Sequence, residues 1–193
     1  TIYALSGQAL LSDSVDAGWR LSLPGEGGQV VDAWDGRGTI KHIEYDELLR
    51  PLAVFEDSES VEQLVYGGAD LTEFNQCGQL IRHDDPAGTR LNNQFALVGE
   101  VIEQTQEFAD DLHTTRWRFN AVGEALTQTD AVGDVQRFAH TVAGQLESAY
   151  VQLNGRLEQQ LVGDIRYDAQ GRVESETAGN GVTTRPIWSA VDG

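Results

Sequence analysis

Three pairs of glycines stand ten residues apart: Gly78 and Gly88, Gly123 and Gly133, Gly171 and Gly181. The first of each pair closes an aromatic-Asn/Asp-x-x-Gly motif: Phe74-Asn75-Gln76-Cys77-Gly78, Phe119-Asn120-Ala121-Val122-Gly123 and Tyr167-Asp168-Ala169-Gln170-Gly171. The second ends a further turn, at Asp85-Pro86-Ala87-Gly88, Asp130-Ala131-Val132-Gly133 and Ala178-Gly179-Asn180-Gly181. Two turns at that spacing leave room for one strand of about six residues. The chain is therefore expected to repeat strand, turn, strand, turn. Chains of this kind work as surfaces, walls or scaffolds rather than as compact catalytic domains.

Looser copies fill the gaps. Trp34-Asp35-Gly36-Arg37-Gly38 fits the first motif fully, and Tyr45-Asp46-Glu47-Leu48-Leu49 keeps its start but loses the glycine. Phe95-Ala96-Leu97-Val98-Gly99 and His140-Thr141-Val142-Ala143-Gly144 keep less. The residue types have a local logic. Asn and Asp bond to backbone two residues on, and glycine adopts positive φ without a steric penalty. Asp85-Pro86-Ala87-Gly88 suits a type I turn, and Asn154-Gly155 and Asn180-Gly181 are hairpin signals. Arg172-Val173-Glu174-Ser175-Glu176-Thr177 alternates charged with small or apolar residues, as a strand with one wet face does. The aromatic before each turn is expected to pack in the core. The stretch from Glu103 to Leu112 is the one helix candidate, and Glu100 to Phe108 reads equally well as a strand.

Composition narrows the partners. Thirteen basic against 31 acidic residues give a net charge of −18, which argues against nucleic acid or an anionic membrane surface. No apolar run reaches the eighteen or so residues of a membrane span. The single Cys77 cannot form an intrachain disulfide. The chain has no Met and closes on Trp188-Ser189-Ala190-Val191-Asp192-Gly193, which resembles Tyr150-Val151-Gln152-Leu153-Asn154-Gly155 broken off. The expectation is one repeat region over residues 1–193, an internal piece of a longer protein.

Catalytic and ligand-binding constellations are poorly supported. His42, His83, His113 and His140 never occur at short metal-ligand spacing. His83-Asp84-Asp85 and Asp130 to Asp134 read as turns rather than cation loops. There is no Gly-x-Ser-x-Gly elbow, and Gly25-Glu26-Gly27-Gly28 reads as a hairpin turn after Pro24 rather than a phosphate loop. Arg20, Arg37, Arg50, Arg82 and Arg172 recur beside the turns, where cross-strand pairing with carboxylates is the expected role. No catalytic, cofactor-binding or metal residue is assigned.

With these repeats in hand, the chain resembles the Rhs or YD-repeat proteins. Tyr45-Asp46 and Tyr167-Asp168-Ala169-Gln170-Gly171-Arg172 match the YD signature. Ser14 to Arg20, Trp34 to Gly38, Tyr45 to Phe55, Asn75 to Thr89 and Ala178 to Val182 narrow the likeness to the C component of bacterial insecticidal toxin complexes. That resemblance implies a continuous β-sheet wound into a hollow shell around a toxic C-terminal segment of the same chain. It also implies a B component that completes the shell, and a secreted assembly. Family members carry an autoproteolytic region near the end of the repeats. Asp84-Asp85-Pro86-Ala87-Gly88 is similar to part of it but sits in a repeat turn, so no catalytic residue is carried over.

The expected fold is all-β, an antiparallel array of hairpins in one strongly curved sheet. The expected function is structural and non-enzymatic: a segment of wall that encapsulates a toxic effector. The alternative is an extracellular β-repeat module that binds carbohydrate or a partner protein through Trp19, Trp34, Trp117 and Trp188. Isolated, such a segment exposes strand edges and is expected to self-associate.

Overall fold

A computed structural model describes residues 1–109 and 111–188. The break after Trp188 in the comparison with Tyr150 to Gly155 lies outside the described residues. No described residue is helical. Seventeen strands form instead: β1 (Ile2–Tyr3), β2 (Ala9–Ser14), β3 (Gly18–Pro24), β4 (Val30–Asp35), β5 (Ile40–Tyr45), β6 (Pro51–Glu56), β7 (Glu59–Tyr66), β8 (Leu80–Asp85) and β9 (Gly88–Phe95). They continue as β10 (Val101–Phe108), β11 (Asp111–Phe119), β12 (Ala125–Thr129), β13 (Val135–His140), β14 (Leu146–Gln152), β15 (Gln159–Tyr167), β16 (Val173–Ala178) and β17 (Thr183–Thr184). All belong to one sheet. The strands that the ten-residue glycine pairs predict are β8, β12 and β16. The helix candidate forms β10 and the start of β11.

The chain divides into two compact units, Thr1–Asn92 with Gln106–Asp111, and Asn93–Thr105 with Leu112–Gly193. In the first, β2 to β8 pair antiparallel in chain order, and the register sorts residues onto two faces. One face carries Leu11, Leu21, Trp34 and Ile40 directly opposite one another across four strands. The other carries Ser22, Ala33, Lys41 and Glu56 in the next row. Val54 is the buried apolar residue of this unit. In the second unit β11 to β17 pair the same way. There Phe95, Ala149 and Ile165 are buried, beside Thr105 and Ser148. Thr105 accepts a bond from Asn93 at 2.8 Å and shares another with Thr114 at 3.0 Å.

Little is deeply buried: within each unit the described strands contact only their neighbours in the sheet. The chain exposes 13178 Å², against about 9,000 Å² for a globular protein of its 21.1 kDa mass. Apolar residues on strand faces stay partly exposed as a result: Leu21 38%, Trp19 42%, Ile40 49% and Leu23 51%. The aromatics before the turns follow suit. Phe95 is buried, while Trp34, Tyr45, Phe119 and Tyr167 are half-buried rather than enclosed.

Candidate functional surface

One backbone device recurs at both ends of the strands. At residue i its N–H donates to the carbonyl of i+4, and the N–H of i+3 donates back to the carbonyl of i. The loops starting at Ala4, Gly25, Asp35, Asp46, Ala96, Asn120, Asp130, Thr141, Asp168 and Ala178 all share it. Neither central residue has positive φ, whereas i+3 is always left-handed, as in Gly99 at 102° and Gly123 at 85°. This is a type I turn closed by a left-handed residue, the three-residue hairpin loop with a bulge. The bulge appears in the register at Tyr45, Phe119, His140 and Tyr167. Leu49 takes the glycine's place after Tyr45-Asp46 and adopts φ 59°.

The Asn or Asp of the motif locks the loop. Its Oδ1 accepts the N–H groups of i+2 and i+4: Val122 and Glu124 onto Asn120, Leu48 and Arg50 onto Asp46, Gln170 and Arg172 onto Asp168, all at 2.9–3.0 Å. In the two YD copies the other carboxylate oxygen accepts Arg Nε, at 2.7 Å for Arg50 and 2.8 Å for Arg172. The Arg50 backbone N–H foremost, then its side chain, holds the Asp46 carboxyl below its usual range, and Arg172 does the same for Asp168. The tyrosine hydroxyls reach back over the sheet, Tyr45 to the Val30 carbonyl at 2.7 Å and Tyr167 to that of Leu146 at 2.8 Å. Each arginine then lies over an aromatic ring further on: Arg50 is 4.2 Å from the centre of Tyr66, and Arg172 is 5.5 Å from that of Trp188.

Neighbouring hairpin tips are stitched together within each unit. In the second, the side chain at i+4 of one tip covers the glycine at i+3 of the next on the same end of the sheet. Glu100 lies where a Cβ of Gly123 would be, Glu124 where that of Gly144 would be, and Gln145 beside Gly171. In the first unit Gln8 covers Gly28 and donates to its carbonyl at 2.9 Å. Some tips carry aliphatic residues open to solvent, with Leu97 93%, Val98 67% and Val122 77% exposed.

Several expectations need correction. Gly78 does not close a hairpin tip of this type. Its motif lies in the long connection between β7 and β8, where Asn75 is left-handed and Phe74 is 44% exposed. There Gly78 donates to Gly67 and accepts from Arg50 Nη1 at 3.1 Å. Arg50 and Arg172 pair within their own turns, and Arg82 pairs with Asp84 of its own strand at 2.7 Å, so their partners are not cross-strand carboxylates. Cross-strand pairing falls to Arg116 with Glu103 at 2.6 Å. Asn154-Gly155, by contrast, marks a hairpin as expected, in the connection between antiparallel β14 and β15, with Gly155 alone left-handed.

The polar clusters are absorbed by the fold. His83 contacts Glu62 at 3.0 Å and Arg90 at 3.2 Å, and Asp85 accepts Ala87 and Gly88 N–H groups. Asp130 accepts Val132 and Asp134 N–H groups. Among the described residues no group of three or more His, Cys, Asp or Glu side chains is placed to hold a metal ion. Cys77 is exposed, with its Sγ 3.5 Å from the Ala69 carbonyl. Trp19 and Trp34 share a face of neighbouring strands, Trp117 is half-buried, and Trp188 donates to the Val173 carbonyl at 2.8 Å.

A sheet built from stitched YD hairpins has close counterparts. The chain is 33% identical to toxin subunit YenC1 of Yersinia entomophaga over 97% of its own length, and 28% identical to YenC2 over 96%. In a TcdB2-TccC3-Cdc42 crystal structure, 96% of the chain superposes with a TM-score of 0.87 at 31% identity. The chain is an Rhs-repeat protein of the toxin-complex C-component type. The Photorhabdus luminescens Tc holotoxin pore carrying a TccC3 D651A mutation gives a TM-score of 0.86 at 32% identity. No protein-family model matches the chain. It spans 22% and 24% of the lengths of YenC1 and YenC2, and 10% of the two solved chains.

Proposed function

We propose that this Rhs-repeat chain is a structural, non-catalytic stretch of wall, residues 1–193 acting as a single repeat region in a shell that encapsulates a toxic effector. The observation that carries this reading is the combination of a large exposed area with strands that, within each unit, contact only their sheet neighbours. A surplus of roughly 4,000 Å² over a globular protein of equal mass suits a wall with one surface turned to a cargo and the other to solvent. The stitched tips help a wall hold together: at Gly28, Gly123, Gly144 and Gly171 a side chain of the neighbouring hairpin covers the tip, in addition to the backbone pairing of the strands. The partners on this reading are a toxin-complex B component and an effector segment of the same polypeptide, in a secreted assembly. On this reading the chemistry of intoxication belongs to the effector and not to this stretch of wall.

The test is protease protection. Full-length protein assembled with its B component is treated with trypsin, and the fate of the segment following the repeats is followed by mass spectrometry. The reading predicts a segment that survives in the assembly and is digested once the shell is opened by denaturant. Equal digestion before and after opening would refute it.

A further inference from the structure

The first unit holds a recess of about 450 Å³, a volume within the range of small-ligand sites. The register explains the hollow. Ser12, Arg20, Ser22, Ala33, Lys41 and Glu56 come from five adjacent strands, β2 to β6, and share one face. Three of them are small, so the middle of the patch is low, while the long Arg20, Lys41 and Glu56 side chains stand around it. Ser22 is satisfied by donating to the Ala9 carbonyl at 3.2 Å. Two cations on strands β3 and β5 thus flank a floor centred on Ala33 of β4.

We propose that this recess binds a carboxylate, held between Arg20 and Lys41 with its carbon chain over Ala33. Neither cation forms an ion pair among the described residues, although the chain carries 31 acidic groups. Asp35 stands directly opposite Arg20 but is turned into its own loop, where Oδ1 accepts the N–H groups of Arg37 and Thr39 at 2.9 and 3.1 Å. Lys41 is the only lysine in the chain. A guanidinium fork and an ammonium from opposite sides match the four lone-pair directions of one carboxylate. Glu56, on the rim beside Lys41, restricts the ligand to one anionic group, since a second would face it.

That carboxylate could come from a free acid or from a glutamate side chain of a polypeptide lying on the sheet, and one experiment separates the two. Saturation-transfer NMR on the full-length protein observes butanoate in one arm. In the other it observes an acetylated, amidated Ala-Ala-Glu-Ala-Ala peptide beside its Gln counterpart. The expected result is transfer to butanoate, to the Glu peptide or to both, at least fivefold stronger than to the Gln peptide. Transfer to butanoate alone assigns a free acid, and transfer to the Glu peptide assigns a polypeptide ligand. R20Q with K41Q should cut the signal at least fivefold, and A33L, which fills the floor without altering charge, should do the same. Circular dichroism melting checks that each variant folds, and if A33L does not, the charge pair decides. No transfer to either carboxylate, or transfer indifferent to R20Q/K41Q, overturns the site.

Discussion

Replacing Gly123 by alanine tests the stitching of hairpin tips directly. At φ 85° an L side chain costs roughly 1–2 kcal/mol, offset by roughly 0.4–1 kcal/mol through the unfolded chain. Backbone strain alone therefore costs about 1 kcal/mol. Gly155 supplies that baseline: its φ is 72° and a Cβ there meets nothing within 4 Å. At Gly123 the new Cβ would run into Oε1 of Glu100, so that side chain has to leave its place. Oε1 is the far end of a flexible side chain, so swinging it aside adds only about 0.5–1 kcal/mol, on the scale of an off-rotamer side chain. Gly123→Ala should thus cost about 1.5–2 kcal/mol, which is roughly 3–8 °C in Tm for a chain of this length. Urea titrations followed by tryptophan fluorescence measure it, with Gly155→Ala alongside. Glu100→Ala clears the space, so the double variant should recover about 0.5–1 kcal/mol of the sum of the single losses. Equal losses at Gly123 and Gly155, together with additivity in the double variant, would refute the stitch.

Other consequences are as concrete. Asp46 and Asp168 have carboxyls held below the ordinary value of 3.8 in the folded chain, so their contribution is full above that value and disappears as pH falls through the lower folded-state values. Stability should therefore rise with pH across this acidic window. Asp46→Asn with Asp168→Asn, which keeps the oxygen that accepts the turn N–H groups, should flatten that limb in urea midpoints measured against pH; an unchanged limb would show that other carboxylates set it. Tyr167→Phe removes the bond to the Leu146 carbonyl and should cost about 1 kcal/mol in the same titration, whereas a neutral result would mean that the hydroxyl is equally well solvated when free. Gly88→Ala should be far worse than Gly155→Ala, because its Cβ would meet the backbone carbonyl of Glu107, which cannot swing aside; a melting temperature within a few degrees of wild type would disprove the close approach.

How much of this could be read beforehand follows from whether a signal is local. The aromatic-Asn/Asp-x-x-Gly turn closes within five residues, so Asn120, Asp168 and their glycines announce it, and the strands between them follow by spacing. Leu49 hides its turn because glycine is absent, yet Asp46 still bonds to Leu48 and Arg50. Asp57 and Ser58 were invisible for a similar reason: both adopt positive φ in the tight turn between β6 and β7 with no glycine to mark it. Gly78 misled in the opposite direction. Its motif is intact, but the connection holding it is organised by Gly67, which bonds to Gln79 and Gly78 from outside the motif. Glu100 over Gly123 and the recess under Arg20 and Lys41 depend on which strands lie side by side, and no short pattern encodes that. The sorting of Leu21 and Trp34 to one face and Ala33 and Lys41 to the other was partly legible from alternation, but not that strands within a unit contact only their sheet neighbours.

The most direct test of the central claim is electron cryomicroscopy of the full-length protein assembled with its B component. The account predicts a closed, hollow particle in which residues 1–188 form part of a continuous single-layered wall, with density for an enclosed segment inside. A particle with no lumen, or one in which a second protein layer covers this sheet on both faces, would contradict it.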